Sequence, residues 1–391
     1  MINLYVVVNN YLFTQGINSV VDQFYKNKIK LLQAGIEYKG VIDQKKFYHE
    51  IPKRENGTPK QVNTTVKKSK LYKSYFGNVI SIFLHSILVG KKVAENVYKV
   101  TSDSENTIYI FQDVFAAYYA LKKYKMKNII FMTHTYEDEL EQLLMNYPEI
   151  KERKFEAYIR YIYGFVYDNC YKSIAICNKA KEWIKKNHKN LNVEVLYNSV
   201  IDCATNHKLK EHEKVNIAMA SSIGIRKGFD MLKDVFGDIP YEILEKCHFH
   251  IYGNGDYLDI LKNYCRSNHI DNVTFYGRVE KPYLNYNDMD AYLMISRSET
   301  LPMSIIEAMM YSLPIFATNV GAISEMIDEG RNGFLYEPNE KAIRKAIEDI
   351  LKNKNLLCEM GKESRKIYLD KFGEEKWVER LTLILKDDIY D

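Results

Sequence analysis

Paired cysteines are missing from this sequence. Its six cysteines, Cys170, Cys177, Cys203, Cys247, Cys265 and Cys358, form no Cys-x-x-Cys unit, which removes the common zinc-knuckle and thiol-redox motifs. Reduced thiols of a cytosolic protein are the expected state. A strong charge of either sign is missing too. Lys and Arg number 55 against 51 Asp and Glu, a net +4, too mild to imply a nucleic-acid partner. No run approaches the roughly 20 apolar residues of a membrane-spanning helix. Residues 1–8 are apolar but have neither a basic start nor a cleavage site, so a buried strand is expected there rather than a signal peptide. Short-period repeats and low-complexity tracts are absent.

What is present is a soluble globular composition, 46% hydrophobic and 27% charged over 391 residues, enough for two domains with a core each. The 32 tyrosines fall on helical and strand patterns and read as packing. Strand, loop, helix and strand follow one another from the start, at 2–8, 9–18, 19–33 and 37–42, with Gly35 closing the helix. Further strands are expected at 107–112, 128–133, 173–177 and 193–196, with helices between them. A polar, charged segment at 203–214 precedes a new strand at 215–220. The pattern is that of parallel α/β sheets. It places one domain at 1–200, a second at 201–372, and a last helix at 373–391.

The most informative stretch is 296–325. An apolar run at 291–295 turns through Ser296, Arg297 and Ser298 to Glu299; a helix is expected to start near Pro302 and carries Glu307. A second apolar run at 314–317 leads to Asn319, Val320 and Gly321, with another helix expected near Ser324. Ligands of such sheets bind at the carboxyl ends of strands, where helix N-termini attract phosphates. Glu299 and Glu307 stand at that handover. Two roles are open for Glu307, a ligand contact or the partner of Ser304 in a capping box, and Glu299 by itself reads equally as a solvated loop acid.

The order Glu299, Leu301-Pro302, Glu307-Ala308-Met309, Leu313-Pro314, Gly321 and Glu325 resembles the donor-site signature of retaining glycosyltransferases of the GT-B fold, family 4 (glycosyltransferase group 1). Ser312 and Ala322 stand where that family has glycines, and both are small. The linker at 197–202 resembles the family's Asn-Gly-Val-Asp, with Ser199 for the glycine. The resemblance implies an α/β chain of two Rossmann-like domains facing each other across a cleft, with a C-terminal crossover helix. It implies transfer of a sugar, with retention and without metal or other cofactor, from a nucleotide diphosphate sugar such as a UDP-sugar. The acceptor it implies is a glycan or a lipid-linked glycan in bacterial surface polysaccharide synthesis.

The resemblance also implies roles. Glu307 would bind the nucleotide ribose, and Glu299 with the backbone of Leu301, Pro302, Met303 and Ser304 would hold the sugar. Lys227 would neutralise the diphosphate, with Arg226 in place of an earlier arginine whose position is held by Ser222. Gly253 and Gly255 would let backbone approach the nucleotide, Gly277 would precede the base, and Gly16 would line the first loop. His134, at a strand end, would face the donor sugar. For Lys227, Gly16 and His134 the structural alternatives stand beside these roles: a solvated lysine, a turn glycine and a histidine bonded at a loop start. The missing arginine at Ser222 and the altered glycines leave a second reading, a non-catalytic GT-B-like binding subunit of a glycosylation complex. The intact pair Glu299 and Glu307 weighs against it.

Neither Cys247, His248 and His250 nor Asp288 and Asp290 makes a persuasive metal site. The former share an apparent strand without further ligands at zinc spacing, and the latter directly precede the buried strand at 291. A last feature is the basic, apolar stretch 66–100. Lys67, Lys68, Lys70, Lys73, Lys91, Lys92 and Lys99 face only Glu95, around a nearly apolar run at 79–89 with Tyr72, Tyr75 and Phe76 at its border. It reads either as a covering helix with its apolar face buried, or as an element of 66–92 lying on an anionic membrane surface. The expected location is cytoplasmic, and peripheral at the inner face of the membrane on the second reading.

Overall fold

The computed structural model describes residues 1–9, 15–50, 74–101, 106–204 and 212–386, with residues 15–20 described by their backbone. The chain divides into two compact units, Met1–Leu196 with Val378–Asp391, and Tyr197–Trp377.

The first unit holds seven strands: β1 (Ile2–Val7), β2 (Ile36–Ile42), β3 (Phe47–Tyr48), β4 (Thr107–Phe111), β5 (Ile129–Met132), β6 (Lys172–Ala175) and β7 (Val193–Val195). Their order is β3-β2-β1-β4-β5-β6-β7, and every pairing is parallel except β2 with β3. Helices cover a parallel sheet on both faces, so its strands are apolar on both sides. Leu4, Val6, Ile108, Ile110, Ile129 and Ile130 are accordingly all buried. One inward residue breaks the rule. Lys172 on β6 is buried, and its ammonium donates at 2.8 Å to the Ile384 carbonyl. A buried ammonium needs such an acceptor, and this bond ties the end of the helix Glu374–Lys386 to this unit.

Two local expectations change. The first helix is two, Gln15–Lys26 and Lys28–Gln33, interrupted at Asn27, whose Nδ2 bonds to the Gln23 carbonyl at 3.0 Å. Gly16 therefore lies in the first turn of a helix and not in the preceding loop. The stretch after residue 74 forms one helical element, Tyr75–Val100, capped by Ser74 and containing a π turn at Phe83–Ile87. At 26 residues it is long and apolar enough, by length and composition alone, to cross a membrane, contrary to the expectation that no run reaches that size. A Cβ added to Gly90 would lie 2.5 Å from Phe115 Cβ and 2.7 Å from the Ala116 nitrogen. Glycine there lets this helix press against the helix Val114–Lys122. Lys67, Lys68, Lys70, Tyr72 and Lys73 lie outside the described residues.

The second unit holds β8 (Val215–Ala220), β9 (Cys247–Tyr252), β10 (Val273–Gly277), β11 (Ala291–Met294), β12 (Ile315–Thr318) and β13 (Gly333–Tyr336). All are parallel, in the order β10-β9-β8-β11-β12-β13. Numbered within the unit this is 3-2-1-4-5-6, the doubly wound order in which ligands bind where the winding reverses. The reversal falls between β8 and β11. Ile217, Met219, Phe249, Ile251, Leu293 and Phe316 belong to the core cluster beneath it, each large side chain contributing about 1.5–3 kcal/mol by burial. The helix expected near Ser324 is a single 3-10 turn, Ile323–Glu325.

Candidate active site

The loops after β8 and β11 meet at this reversal. The β8 loop ends in the 3-10 turn Ile225–Lys227 and Gly228. Gly228 has φ +79°, and a Cβ there would lie 2.0 Å from the Ile295 carbonyl oxygen. Only glycine permits both the conformation and the approach. That approach sets Lys227 against the β11 loop, where its Nζ forms an ion pair with Glu299 Oε1. Ser296 Oγ donates to the same oxygen at 2.6 Å. The loop is braced on all sides. Arg297 grips Asp230 with two bonds of 2.5 and 2.8 Å and the Ile225 carbonyl at 2.6 Å. Arg226 donates to the Ser298 carbonyl at 3.1 Å, and Thr318 Oγ1 to the Ser296 carbonyl at 2.6 Å. A small opening beside the pair is lined by Ala220, Ser221, Lys227, Tyr292 and Ser296 among others.

Gly321 completes the brace. Its φ is +61°, and a Cβ would lie 1.9 Å from the Glu299 carbonyl oxygen. Gly277 also has a positive φ, +67°, but open space around it. Gly321→Ala should therefore lower thermal stability by backbone strain of about 1–3 kcal/mol plus overpacking of about 1–3 kcal/mol. Gly277→Ala should cost the strain alone. Equal losses in thermal denaturation would show that the contact with the Glu299 backbone carries no weight.

The helix Met303–Met310 starts with Pro302 as its N-cap and no side-chain cap. Ser304 sits inside the first turn and bonds toward the Tyr292 hydroxyl instead, so Ser304 and Glu307 do not form a capping box. Leu301 and Pro302 are buried, and Met303 and Ser304 are partly exposed. The first-turn amides of any helix lack intrahelical acceptors. Glu307 is partly exposed, yet burial of its carboxyl group pushes the pKa up to about 7, and the group has no hydrogen-bond partner among the described residues. A half-covered carboxyl without a partner is suited to receiving ligand hydroxyls. Tyr292, directly beneath, donates to the Ala220 carbonyl at 3.1 Å and accepts from the Ala220 N–H at 3.3 Å.

Gly253 and Gly255 do make a close backbone approach, but to this chain. A Cβ on Gly253 (φ +146°) would lie 1.8 Å from the Ser221 carbonyl oxygen, and one on Gly255 would lie 2.1 Å from that of Ile223. Both glycines thus seat the β8 loop that carries Lys227. Gly277 accepts from the Gly253 N–H at 2.7 Å. Asp290 accepts from the Asn216 N–H at 2.7 Å and meets His212 Nδ1 at 3.2 Å. His248 pairs with Thr274 Oγ1 at 2.8 Å. His250 bonds to Tyr276 OH and Asn216 Oδ1 at 2.9 and 3.1 Å, and burial pulls its pKa down to about 4.

In the first unit His134 follows β5, and its Nε2 lies 2.9 Å from Gln112 Oε1. Burial pushes its pKa down to about 4, so the ring is neutral near pH 7 and Nε2–H is the donor to that carbonyl. Gln112 Nε2 is buried without a partner among the described residues. Two carboxyl groups that the sequence did not single out flank this pair in the chain, Asp113 directly after Gln112 and Glu139 five positions after His134. Asp113 caps the helix Val114–Lys122 through the Ala116 N–H at 2.7 Å, and burial raises it to about 6. Glu139 is pushed up by burial to about 7 and accepts from Thr133 Oγ1 and the His134 N–H. The available signal was an acidic residue at the start of the helix after each of two apolar strands, Asp113 before Val114 and Glu139 after Asp138.

A lysine–glutamate pair, anchored glycines and a helix start thus stand at the reversal, the place where doubly wound sheets bind their ligands. Residues 204–367, most of this second unit, match the family model described as glycosyl transferases group 1. An uncharacterised glycosyltransferase of Methanocaldococcus jannaschii is 28% identical over 224 residues, 56% of this chain and 60% of that protein. The O-antigen biosynthesis glycosyltransferase WbnH of Escherichia coli is 40% identical over 94 residues, 24% of this chain and 26% of that protein. The chain spans about half the length of the curated relatives it matches. Among solved structures, Anabaena HepE in complex with UDP has a TM-score of 0.67 at 14% identity, covering 99% of this chain and all of that one. The fold is GT-B.

Proposed function

We propose that this protein transfers a sugar from a nucleotide diphosphate sugar, a UDP-sugar, to a glycan or lipid-linked acceptor in bacterial surface polysaccharide synthesis, with retention of configuration. The observation that carries the reading is the Lys227–Glu299 pair at the sheet reversal, with the partnerless Glu307 on the helix that follows. The UDP in the HepE complex and the O-antigen role of the Escherichia coli relative support the donor and the pathway.

The proposed chemistry follows from those groups. A donor diphosphate takes Lys227 from Glu299, which frees the carboxylate to accept from a sugar hydroxyl. Glu307 accepts from the ribose, and the amides at Met303 and Ser304 face the anion. The bond from the sugar C1 to the phosphate oxygen breaks, the acceptor oxygen attacks the same face, and its proton passes to the departing phosphate oxygen. Negative charge grows on that oxygen, where a fixed cation is most effective. A same-face route fits because Asp113 and Glu139 are held in capping and loop hydrogen bonds rather than standing free as a nucleophile.

The test is a thermal-shift and hydrolysis screen over nucleotide sugars. A donor at one hundred times its Kd stabilises the native state by about 2.7 kcal/mol; the UDP-sugars should give the largest shifts. No shift with any nucleotide or nucleotide sugar would reject the reading, and shifts without turnover on any acceptor would leave a binding subunit. Activity should persist in EDTA, because Asp290 is held by the Asn216 N–H and His212. Complete loss on chelation, restored by manganese, would return Asp288 and Asp290 to the site.

A further inference from the structure

The helix Tyr75–Val100 carries more apolar surface than a covering helix needs. A helix that packs on a sheet buries its large apolar stripe and leaves polar residues in water. Here Phe76 is 73% exposed, Ile80 52%, Phe83 46%, Leu84 48% and Leu88 39%, while Asn78 is 3% and Ser81 4% exposed. The buried face mixes Ile82, Ile87, Val93, Ala94 and Val97 with Gly77, Asn78, Ser81 and Gly90. The exposed positions recur at helical spacing and form one stripe. The helix thus buries one apolar face and carries a second, with two phenylalanines, that stays exposed.

The charge along the chain before and after the stripe is one-sided. From residue 56 to 94 the sequence has seven lysines and neither Asp nor Glu. Lys91 and Lys92 follow the stripe directly and are exposed. A second copy of this chain docked stripe to stripe would bring lysines against lysines, because a two-fold interface repeats each patch on both sides. An anionic lipid surface meets both features at once: acyl chains for the apolar side chains and negative headgroups for the lysines. The helix has the length to span, but Val93, Ala94 and Val97 are buried and Gly90 is pressed on the Phe115–Ala116 backbone. Spanning would tear it from the first unit, whereas lying flat uses only its free face.

We propose that the stripe Phe76, Ile80, Phe83, Leu84 and Leu88, with its flanking lysines, seats the protein flat on an anionic membrane surface. This inference does not depend on the donor or the reaction. The experiment is co-sedimentation of the full chain with vesicles of phosphatidylglycerol and phosphatidylcholine, or of phosphatidylcholine alone, at low and high salt. Phe76→Ser/Leu84→Ser and Lys91→Glu/Lys92→Glu variants are compared after circular dichroism shows their folding unchanged. The protein should pellet with the anionic vesicles, less so at high salt, and each double variant should bind about tenfold more weakly or worse. A protein that stays in the supernatant with anionic vesicles at low salt overturns the proposal. So does binding that neither variant weakens, and so does a dimer in analytical ultracentrifugation that Phe76→Ser/Leu84→Ser abolishes, which would assign the stripe to a second copy.

Discussion

Lys227→Ala should lower turnover of the nucleotide sugar by about 100-fold or more, the usual effect of removing a group aimed at developing charge, while binding of the free nucleoside changes little. The structure adds a complication that the variant must be designed around. Lys227 Nζ is the cation of the Glu299 carboxylate, whose other bonded partner here is Ser296 Oγ. Truncating it leaves a buried charge, and breaking one side of such a pair typically costs about 3–5 kcal/mol. Lys227→Ala alone could thus lose activity by losing the loop. The double variant Lys227→Ala/Glu299→Gln removes the stranded charge and should recover most of the stability seen in urea denaturation. It should not recover turnover. If it does, or if nucleoside and nucleotide sugar suffer equally in the single variant, Lys227 is a brace of the β11 loop and no more.

Glu307→Gln is the second large effect. Losing a charged hydrogen bond to the ribose costs about 1.5–3 kcal/mol, roughly a 10- to 150-fold loss of donor affinity. Its stability should move the other way, with a defined pH dependence. In the folded state burial keeps Glu307 protonated up to about pH 7, whereas its ordinary value is 4.5. Between those two values the unfolded chain holds fewer protons than the folded one, so wild-type stability falls as pH rises across that window and levels off above it. Glutamine has no such term. The variant should match the wild type below about pH 4.5 and exceed it above about pH 7, by an upper limit on the order of 3 kcal/mol. Denaturation midpoints at pH 4, 6 and 8, with donor titration at pH 8, check both halves. Unchanged donor affinity together with lower stability at pH 8 would make the carboxyl structural.

These two side chains show how the site came to be legible. Glu299 and Glu307 lie on one short stretch, so their relation to a strand end and a helix start is local and shows in the order of residues. The partner of Glu299 is not local. Lys227 lies 72 positions away, and nothing in spacing tells that the two are held together. The capping-box alternative for Glu307 was likewise a local reading, and it fails because the helix starts at Met303, two residues too early for Ser304 to be its cap. Gly253 and Gly255 were legible as places of close approach, since glycine there removes a Cβ. What approaches them, the backbone of Ser221 and Ile223, depends on the crossing of two loops. Asp113 and Glu139 escaped notice because a carboxyl group becomes unusual only when buried.

The sequence by itself determined the alternation of apolar strands and amphipathic helices, hence the parallel α/β character of both units, because side-chain periodicity is a property of neighbours along the chain. It also placed the reactive-looking carboxylates at a strand end. Only the tertiary structure decided which groups are covered and by what. It set Lys227 on Glu299, sank Lys172 beneath the helix Glu374–Lys386, and turned Phe76, Phe83 and Leu84 outward while Asn78 and Ser81 went in. The periodicity of 66–100 admitted either orientation, since a helix apolar on nearly every side gives no sign of which face will find the sheet. That choice was made by Gly90, where the absence of a side chain let one backbone come up against another.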